Sequence, residues 1–203
     1  LDEQKLLDKK KFQIKIKKNI PQEAGLGGGS MNAANILNFL LKKRIIKLNK
    51  KKILDITNSI GSDVILGINP TDTVLTSKNM TKKFSKTPNF YTLLVKPNFG
   101  CSTKKIYSEV KKYTKPIFNV PKKDMFNLRF LLKQENVLEK IAFSKYPKLK
   151  IIKSFLENLN KPLFVRMTGS GSVLVAYYQK KQDCNLSKVQ FKRKFKNYWC
   201  ITS

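Results

Sequence analysis

The sequence of 203 residues predicts an α+β protein of two parts. Three observations support this prediction. Strand-like and helix-like patterns follow one another without a repeat, a glycine-rich segment joins one such strand to one such helix, and a polar segment with a proline interrupts the pattern near the middle. Hydrophobic residues make up 41% of the chain, which is typical of a globular protein. No apolar run approaches the roughly 20 residues that a membrane span needs, so no membrane partner is expected.

The first elements surround the glycine-rich segment. Residues 12–21 alternate apolar side chains with polar ones, which predicts a half-buried strand. From Ser30, the expected N-cap, apolar residues recur with helical spacing at Ala33, Ile36, Leu37, Leu40 and Leu41. A second helix is predicted over residues 51–60, ending at Gly61.

The middle of the chain predicts a hairpin and then a linker. Residues 63–78 contain two apolar runs around an Asn-Pro-Thr-Asp turn, which favours a β-hairpin. Lys82–Asn89 is polar and contains a proline, so we expect domains at 1–84 and 85–203. In the second domain the patterns predict strands at 90–98 and 196–203, helices at 102–113 and 147–159, and two strands within 162–178 that a glycine turn separates.

The chain is strongly basic, with a formal net charge of +29. Nearly all of the excess is lysine spread along the whole length, whereas base readout and bidentate phosphate binding favour arginine. We therefore favour a solvated lysine surface over a nucleic-acid site, although such a field would still attract an anionic substrate.

Histidine is absent, and Cys101, Cys184 and Cys200 are widely spaced without a CxxC pair. This pattern favours a reducing cytoplasm and gives no zinc site. Mechanisms that need a histidine base are excluded. Chemistry must therefore use carboxylate, lysine, hydroxyl or backbone groups.

The glycine-rich segment "IPQEAGLGGGSMNAA" lies between the predicted strand and the first predicted helix. Such a loop at a helix N-terminus binds anions because backbone N–H groups converge there. The segment is neither a Walker A loop nor a Rossmann fingerprint, since it lacks the Walker lysine and has Ser30 at the third Rossmann glycine position. The local residues leave phosphate binding and a purely structural tight turn as open alternatives.

Four stretches in order resemble the GHMP kinases: this loop, "IGSDV", "ENVLEKIAFSKYPKL" and "MTGSGSVLVAYY". The resemblance implies a two-domain fold, with an N-terminal part like ribosomal protein S5 domain 2 and a ferredoxin-like C-terminal domain. Within the family, the loop is most similar to the branch that phosphorylates the 2-hydroxyl of a cytidine-diphosphate sugar alcohol in non-mevalonate isoprenoid biosynthesis.

The resemblance also implies the site residues. Asp63 would accept the proton of the attacking hydroxyl, and the turn at Gly169, Ser170 and Gly171 would contact the substrate together with Thr103. The phosphates of ATP, with Mg²⁺ bridging their oxygens, would be held by Pro21, Gly25, Leu26, Gly27, Gly28, Gly29 and Ser30. No residue is assigned as a metal ligand.

The residues alone leave the role of Asp63 open. It follows a Gly-Ser break at the mouth of a predicted strand, where a turn or cap carboxylate is the simpler interpretation. Asp55 and Asp72 are the other acids between Glu23 and Glu109. Only the family resemblance favours Asp63 as the base.

Several positions depart from the family pattern. Met31 replaces a serine that many members carry, Ile65 replaces a proline, and Val137 replaces an aspartate. The lysine-bearing first motif has no counterpart, and the chain begins at Leu1, so we expect an N-terminal segment to be missing.

Three alternatives stay open: a GHMP kinase for another alcohol of the homoserine or mevalonate type, an inactive homologue, and a basic nucleic-acid-binding α+β module. The leading prediction is a cytoplasmic enzyme, monomer or homodimer, with a small-molecule substrate.

Overall fold

The computed structural model describes residues 6–7, 11–76, 81–84, 88–113, 122 and 126–203. These residues form two compact units. The first takes the described residues within Leu1–Asn19, Gly27–Ser85 and Pro116–Lys123, and the second takes those within Ile20–Leu26, Lys86–Lys115 and Asp124–Ser203. The division thus falls inside the glycine-rich loop, between Leu26 and Gly27. The domains 1–84 and 85–203 stay predictions.

The first unit contains three helices and a short hairpin in its described part. The helices are α1 (Gly28–Lys42), α2 (Lys50–Ile60) and α3 (Val64–Ile68), and the antiparallel strands are β1 (Thr73–Leu75) and β2 (Thr81–Lys83). Its core is built on the apolar stripe of α1 and on side chains from the following segments, with Leu37, Leu40, Ile46 and Ile56 buried. Asn49 caps α2 and Gly61 ends it, which confirms the second predicted helix.

The second unit is a four-stranded antiparallel sheet with helices. Its strands have the order β4-β5-β3-β6, and the elements are β3 (Tyr91–Lys96), α4 (Thr103–Tyr107), α5 (Leu128–Leu132), α6 (Leu138–Lys145), α7 (Pro147–Glu157), β4 (Phe164–Met167), β5 (Leu174–Tyr178), α8 (Lys181–Lys194) and β6 (Trp199–Thr202). Strand β3, the pair β4 and β5, helix α7 and strand β6 confirm the predictions for this half of the chain.

The two faces of this sheet are covered differently. Strand β5 directs Leu174, Ala176 and Tyr178 into the main core, where they pack with residues of α7 and α8. Val173 and Val175 belong to a separate cluster, because successive side chains of a strand point to opposite faces. Ala24 and Leu26 of the glycine-rich loop complete that cluster. The sheet therefore anchors the first half of the loop.

The predicted strand over residues 12–21 is wrong. Residues 11–19 form no strand, and Phe12, Ile14 and Ile16 are 42%, 53% and 52% exposed. A strand is stable only when its N–H and C=O groups find a ladder partner, and nothing within the described ranges pairs with this segment.

The predicted hairpin over residues 63–78 is also wrong in its first half. Val64–Ile68 is helix α3, and the hairpin lies further along, with Thr73 opposite Lys83. Strand β2 extends into the predicted linker Lys82–Asn89. Residues 77–78 and 85–87 lie outside the described residues.

Two helix ends differ from the prediction. Helix α1 begins at Gly28 with Gly27 as its N-cap, so Ser30 is not the cap, and Ala34 rather than Ala33 is buried. Helix α4 ends at Tyr107, well before residue 113. No helix of the described chain is both long enough and apolar enough to cross a membrane.

Candidate functional site

The N-terminus of α1 is an open donor site in the first unit. Gly27 has a left-handed backbone (φ 63°), no side chain caps the helix, and its first turn contains no acid. The first helical bond runs from the Met31 N–H to the Gly27 carbonyl oxygen (2.9 Å). The N–H groups of Gly28, Gly29 and Ser30 therefore have no acceptor among the described residues.

Space around the first glycines of α1 is open. A Cβ added at Gly27, Gly28 or Gly29 would meet no described heavy atom within 4 Å. Unpaired N–H groups and the positive end of a 15-residue helix favour an anion in that space. The geometry thus fits a phosphate group.

Asp63 lies directly before α3, at its N-cap position. This corrects the expectation that it stands at the mouth of a strand. Its carboxylate makes no cap hydrogen bond, and its one hydrogen bond with a described residue is from the Ser62 hydroxyl, which donates to Oδ1 at 3.4 Å. The side chain is exposed and forms no ion pair with any residue of the described ranges. The capping role that the sequence alone favoured is therefore absent.

Gly67 fixes α3 against α1. A Cβ at Gly67 would lie 2.6 Å from the Ala34 Cβ and 2.9 Å from the Met31 Sδ. Asn38 Nδ2 donates to the Gly67 carbonyl oxygen at 3.1 Å. The helix that carries Asp63 thus packs directly on the helix that begins at Gly28. The sequence pattern gave no sign of this role of Gly67, and the contact also explains Met31, whose side chain packs between the two helices.

Gly25 belongs to the second unit and serves a different purpose from Gly27–Gly29. Its φ is +69°, and an added Cβ would lie 2.2 Å from the Thr168 carbonyl oxygen and 2.9 Å from the Gly171 nitrogen. Gly169 (φ +47°) approaches Gly25 from the other side, since its own Cβ would lie 3.0 Å from the Gly25 carbonyl oxygen. Two glycine turns that are distant in sequence therefore pack backbone against backbone.

Hydrogen bonds also stabilise the contact between the two glycine turns. The Val173 N–H donates to the Ala24 carbonyl oxygen at 3.2 Å, and the Ser172 N–H donates to the Glu23 carbonyl oxygen at 3.1 Å. Thr168 Oγ1 also donates to the Ala24 carbonyl oxygen, at 3.2 Å. Leu26 is held in the apolar cluster on the sheet, and Pro21 is only half-buried.

The structure brings Thr103 and Ser170 together. Their hydroxyl oxygens lie 2.9 Å apart and share a hydrogen bond, although the residues are 67 positions apart. Ser170 is buried, at 5% exposure, whereas Thr103 is exposed at the start of α4. This part of the predicted substrate site is therefore assembled within the second unit.

Asn136 and Glu139 support the second glycine turn, and sequence analysis assigned them no role. Asn136 Nδ2 donates to the carbonyl oxygens of Met167 and Gly169, at 2.9 and 2.7 Å. Glu139 Oε2 accepts from the Met167 N–H at 2.9 Å, and its Oε1 pairs with Lys153. Both residues fall in the stretch that resembles the family, but the contacts they make were not readable from it.

Lys96 is a buried lysine at the end of β3. Its Nζ donates to the carbonyl oxygens of Phe99 (2.8 Å) and Pro97 (3.3 Å), and burial lowers its pKa although the charge of Glu23 opposes this. Burial raises the pKa of the neighbouring Cys101 thiol to about 11, so this thiol is neutral at pH 7. Lys96 therefore holds the loop that follows β3, and Cys101 supplies no thiolate.

Groups of three or more acidic, cysteine or histidine residues placed to hold a metal do not occur in the described part of the chain. Met31 offers no hydroxyl. A magnesium ion would therefore have to take most of its ligands from phosphate oxygens and water, as Mg²⁺ commonly does in phosphoryl-transfer sites.

Comparison with known proteins identifies relatives over the whole chain. Residues 2–75 match the family model described as the GHMP kinases N terminal domain. The chain is 54% identical to the 4-diphosphocytidyl-2-C-methyl-D-erythritol kinase of Pelagibacter ubique over 203 residues, covering 100% of this chain and 72% of that one. It is 35% identical to the kinase of the same name from Petrotoga mobilis over 175 residues, covering 80% of this chain and 66% of that one.

Solved structures support the fold. A crystal structure of 4-(cytidine 5'-diphospho)-2C-methyl-D-erythritol kinase matches with a TM-score of 0.70 at 22% identity, covering 92% of this chain and 68% of that one. A homoserine kinase from Cytophaga hutchinsonii matches with a TM-score of 0.68 at 16% identity, covering 92% and 67%. The predicted α+β kinase fold is therefore confirmed.

Proposed function

The chain belongs to the GHMP kinases and, within them, to the 4-diphosphocytidyl-2-C-methyl-D-erythritol kinases, and from this membership we propose that it transfers the γ-phosphoryl group of ATP to the 2-hydroxyl of that sugar alcohol. The identity of 54% over all 203 residues supports the substrate assignment. The similar homoserine kinase fold does not favour another acceptor, because likeness at 16% identity concerns the fold alone.

One observation supports ATP as the phosphoryl donor. The first turn of α1 presents unpaired N–H groups to open space. Gly27, Gly28 and Gly29 leave room for the phosphate chain, and no acid of the first turn repels it. Phosphoryl transfer needs mainly alignment and neutralisation of charge on the phosphate oxygens. The glycine N–H groups supply both.

Asp63 is the proposed base. Its exposed carboxylate is free of a capping bond and an ion pair among the described residues, so it is available to orient and deprotonate an alcohol. As the hydroxyl oxygen bonds to the γ-phosphorus, the bond from that phosphorus to the bridging oxygen of ADP breaks, and the hydroxyl proton passes to Asp63 Oδ. Contact of Gly67 with α1 keeps this carboxylate on a fixed element of the first unit.

Mg²⁺ belongs to the proposal as an ion that would neutralise charge on the phosphate oxygens. The open space at Gly27–Gly29 would leave room for a metal–phosphate group, and Ser30 is the residue in the first turn of α1 that carries a hydroxyl. The net charge of +29 further draws an anionic substrate to the surface.

The test uses the protein expressed from its complete gene. Phosphorylation of 4-diphosphocytidyl-2-C-methyl-D-erythritol is followed by ³¹P NMR, with homoserine and mevalonate as competing acceptors. Asp63→Asn is compared with Asp55→Asn, a matched control at an exposed acid of α2 in the same unit. We expect kcat to fall by a factor of about 10²–10⁴ for Asp63→Asn because the general base is lost, and to change less than about twofold for Asp55→Asn.

Thermal stability should be the same for both variants, because neither carboxylate caps a helix. Full activity of Asp63→Asn would remove Asp63 from the mechanism. Phosphorylation of homoserine or mevalonate in preference to the cytidine substrate would overturn the substrate assignment.

A further inference from the structure

We propose that Asn136 is a positioning residue that orients the Gly169–Ser170 peptide, so that the Ser170 N–H is held as a donor to a phosphate oxygen of a bound ligand. The inference rests on the proposed function, which supplies the two phosphate-bearing ligands.

Asn136 uses its whole side-chain amide on backbone groups. Nδ2 donates to the carbonyl oxygens of Met167 (2.9 Å) and Gly169 (2.7 Å), and Oδ1 accepts from the Leu138 N–H at 3.0 Å. The third bond ties the side chain to the start of α6, so the two donor bonds leave from a fixed group. A side chain held at three points has little freedom to follow the turn.

Because the peptide group is planar, these hydrogen bonds also fix the direction in which the following N–H group points. In a trans peptide the C=O and the following N–H point in opposite directions. The Met167 carbonyl oxygen faces Asn136, and the Thr168 N–H on its far side donates to the Val173 carbonyl oxygen at 3.0 Å. In the same way the Gly169 carbonyl oxygen faces Asn136, so the Ser170 N–H points away from it.

The Ser170 N–H has no acceptor among the described residues, as is also true of the Gly169 N–H, whereas the three N–H groups that follow are bonded. The N–H groups of Gly171, Ser172 and Val173 bond to carbonyl oxygens of Thr168, Glu23 and Ala24, respectively. None of the described residues accepts from the Ser170 N–H, although Ser170 is only 5% exposed. Burying an unpaired N–H costs roughly 1–3 kcal/mol, so a ligand oxygen that accepts from it would gain affinity.

The adjacent groups favour a phosphate oxygen as the ligand atom. The Ser170 hydroxyl is bonded to the Thr103 hydroxyl, and no acid of the described residues is hydrogen-bonded to either of them. The phosphate oxygen has two possible sources in the proposed reaction, ATP and the cytidine diphosphate group. Both present the same chemistry to the donor, and the experiment separates them.

The first measurement is made on the wild-type protein from the complete gene. The ¹H–¹⁵N resonance of Ser170 is followed while a non-hydrolysable ATP analogue and the cytidine substrate are added separately. We expect one of the two ligands to shift this resonance downfield, and the ligand that does so identifies the source of the oxygen. If neither ligand moves it at saturation, the proposal is overturned.

The second measurement compares Asn136→Asp with Asn49→Asp. The change replaces NH₂ by O⁻ and keeps the acceptor oxygen in each case. At Asn49 the side chain serves as an N-cap that accepts from the Lys52 N–H at 2.9 Å, a role that aspartate fills equally well. At Asn136 the new oxygen would face two carbonyl oxygens, so the Gly169–Ser170 peptide must turn.

We expect Asn136→Asp to raise KM at least about tenfold for the ligand that shifts Ser170, because its donor is misaligned. Asn49→Asp should leave KM unchanged. A merely structural defect would reduce the active fraction, and so kcat, without changing KM. An unchanged KM in Asn136→Asp would therefore contradict the proposal, and if that variant does not fold, the wild-type resonance still decides. A wild-type protein that binds these ligands without phosphorylating the substrate would refute the proposed function alone.

Discussion

Gly25 and Gly28 lie three residues apart in one loop, yet they are glycines for opposite reasons. An added Cβ at Gly25 would lie 2.2 Å from the Thr168 carbonyl oxygen, whereas one at Gly28 would meet nothing within 4 Å. The first glycine is required because protein backbone fills the space around it. The second leaves space that the described protein does not fill.

Within this one motif, the first residues therefore serve the fold, and the later residues leave room for a ligand. Residues up to Leu26 are held by the sheet of the second unit, and residues from Gly27 begin the first helix of the other unit. We therefore expect substitutions in the first half to lower stability and substitutions in the second half to lower nucleotide affinity. The following changes are ordered from the largest effect to the smallest.

Gly25→Ala should have the largest effect. Alanine at φ +69° is strained, and its Cβ would collide with the Thr168 carbonyl oxygen and the Gly171 nitrogen. We expect the free energy of unfolding to fall by roughly 2–5 kcal/mol, measured by urea unfolding. A loss below about 0.5 kcal/mol would show that the two glycine turns do not pack as described.

Gly67→Ala should have an intermediate effect, because the contact is less close than at Gly25 and involves side chains. The added Cβ would lie 2.6 Å from the Ala34 Cβ, and we expect a loss of about 1–3 kcal/mol on urea unfolding. The double variant Gly67→Ala with Ala34→Gly should recover part of this loss. Additive losses in the double variant would contradict the direct contact.

Gly28→Ala should leave stability nearly unchanged and act on the nucleotide. Alanine favours a helix over glycine, so unfolding should change by less than about 0.5 kcal/mol or improve slightly. The methyl group would enter the space in front of the first turn, and we expect KM for ATP to rise about tenfold, or about 1.4 kcal/mol. Unchanged ATP kinetics would place the phosphates elsewhere.

The sequence predicted the second unit better than the first. Strands β4 and β5 and helix α7 carry clear apolar periods and lie next to the partners that bury them. Residues 12–16 show an equally clear period, but a periodic pattern does not supply a ladder partner. Val64–Ile68 is rich in strand-forming residues and is nevertheless helical, because Gly67 allows it to pack on α1.

Helix α8 was missed because its buried stripe does not look apolar. Its buried positions are Cys184, Ser187 and Phe191, while Leu186 and Val189 are half-exposed. The buried Ser187 is accommodated because its hydroxyl accepts from Asn160 Nδ2 at 2.9 Å, a partner 27 residues away. A contact of that kind is not readable from a local pattern.

In the candidate site, too, the local pattern predicted which residues matter but not the distant contacts that they make. Local pattern and family resemblance singled out Gly25 to Ser30, but they treated these residues as one group. The separate role of Gly25 depends on Thr168, which is 143 positions further along the chain. The support that Asn136 gives to Gly169 is likewise a contact across 33 residues.

The most direct test of the account is to map the glycine N–H resonances by ¹H–¹⁵N NMR during titration with a non-hydrolysable ATP analogue and Mg²⁺. We expect the largest shifts within the loop at Gly28, Gly29 and Ser30, and the smallest at Gly25. Large shifts at Gly25 with none at Gly28 and Gly29 would contradict the assignment of the open half of the loop to the phosphates of ATP.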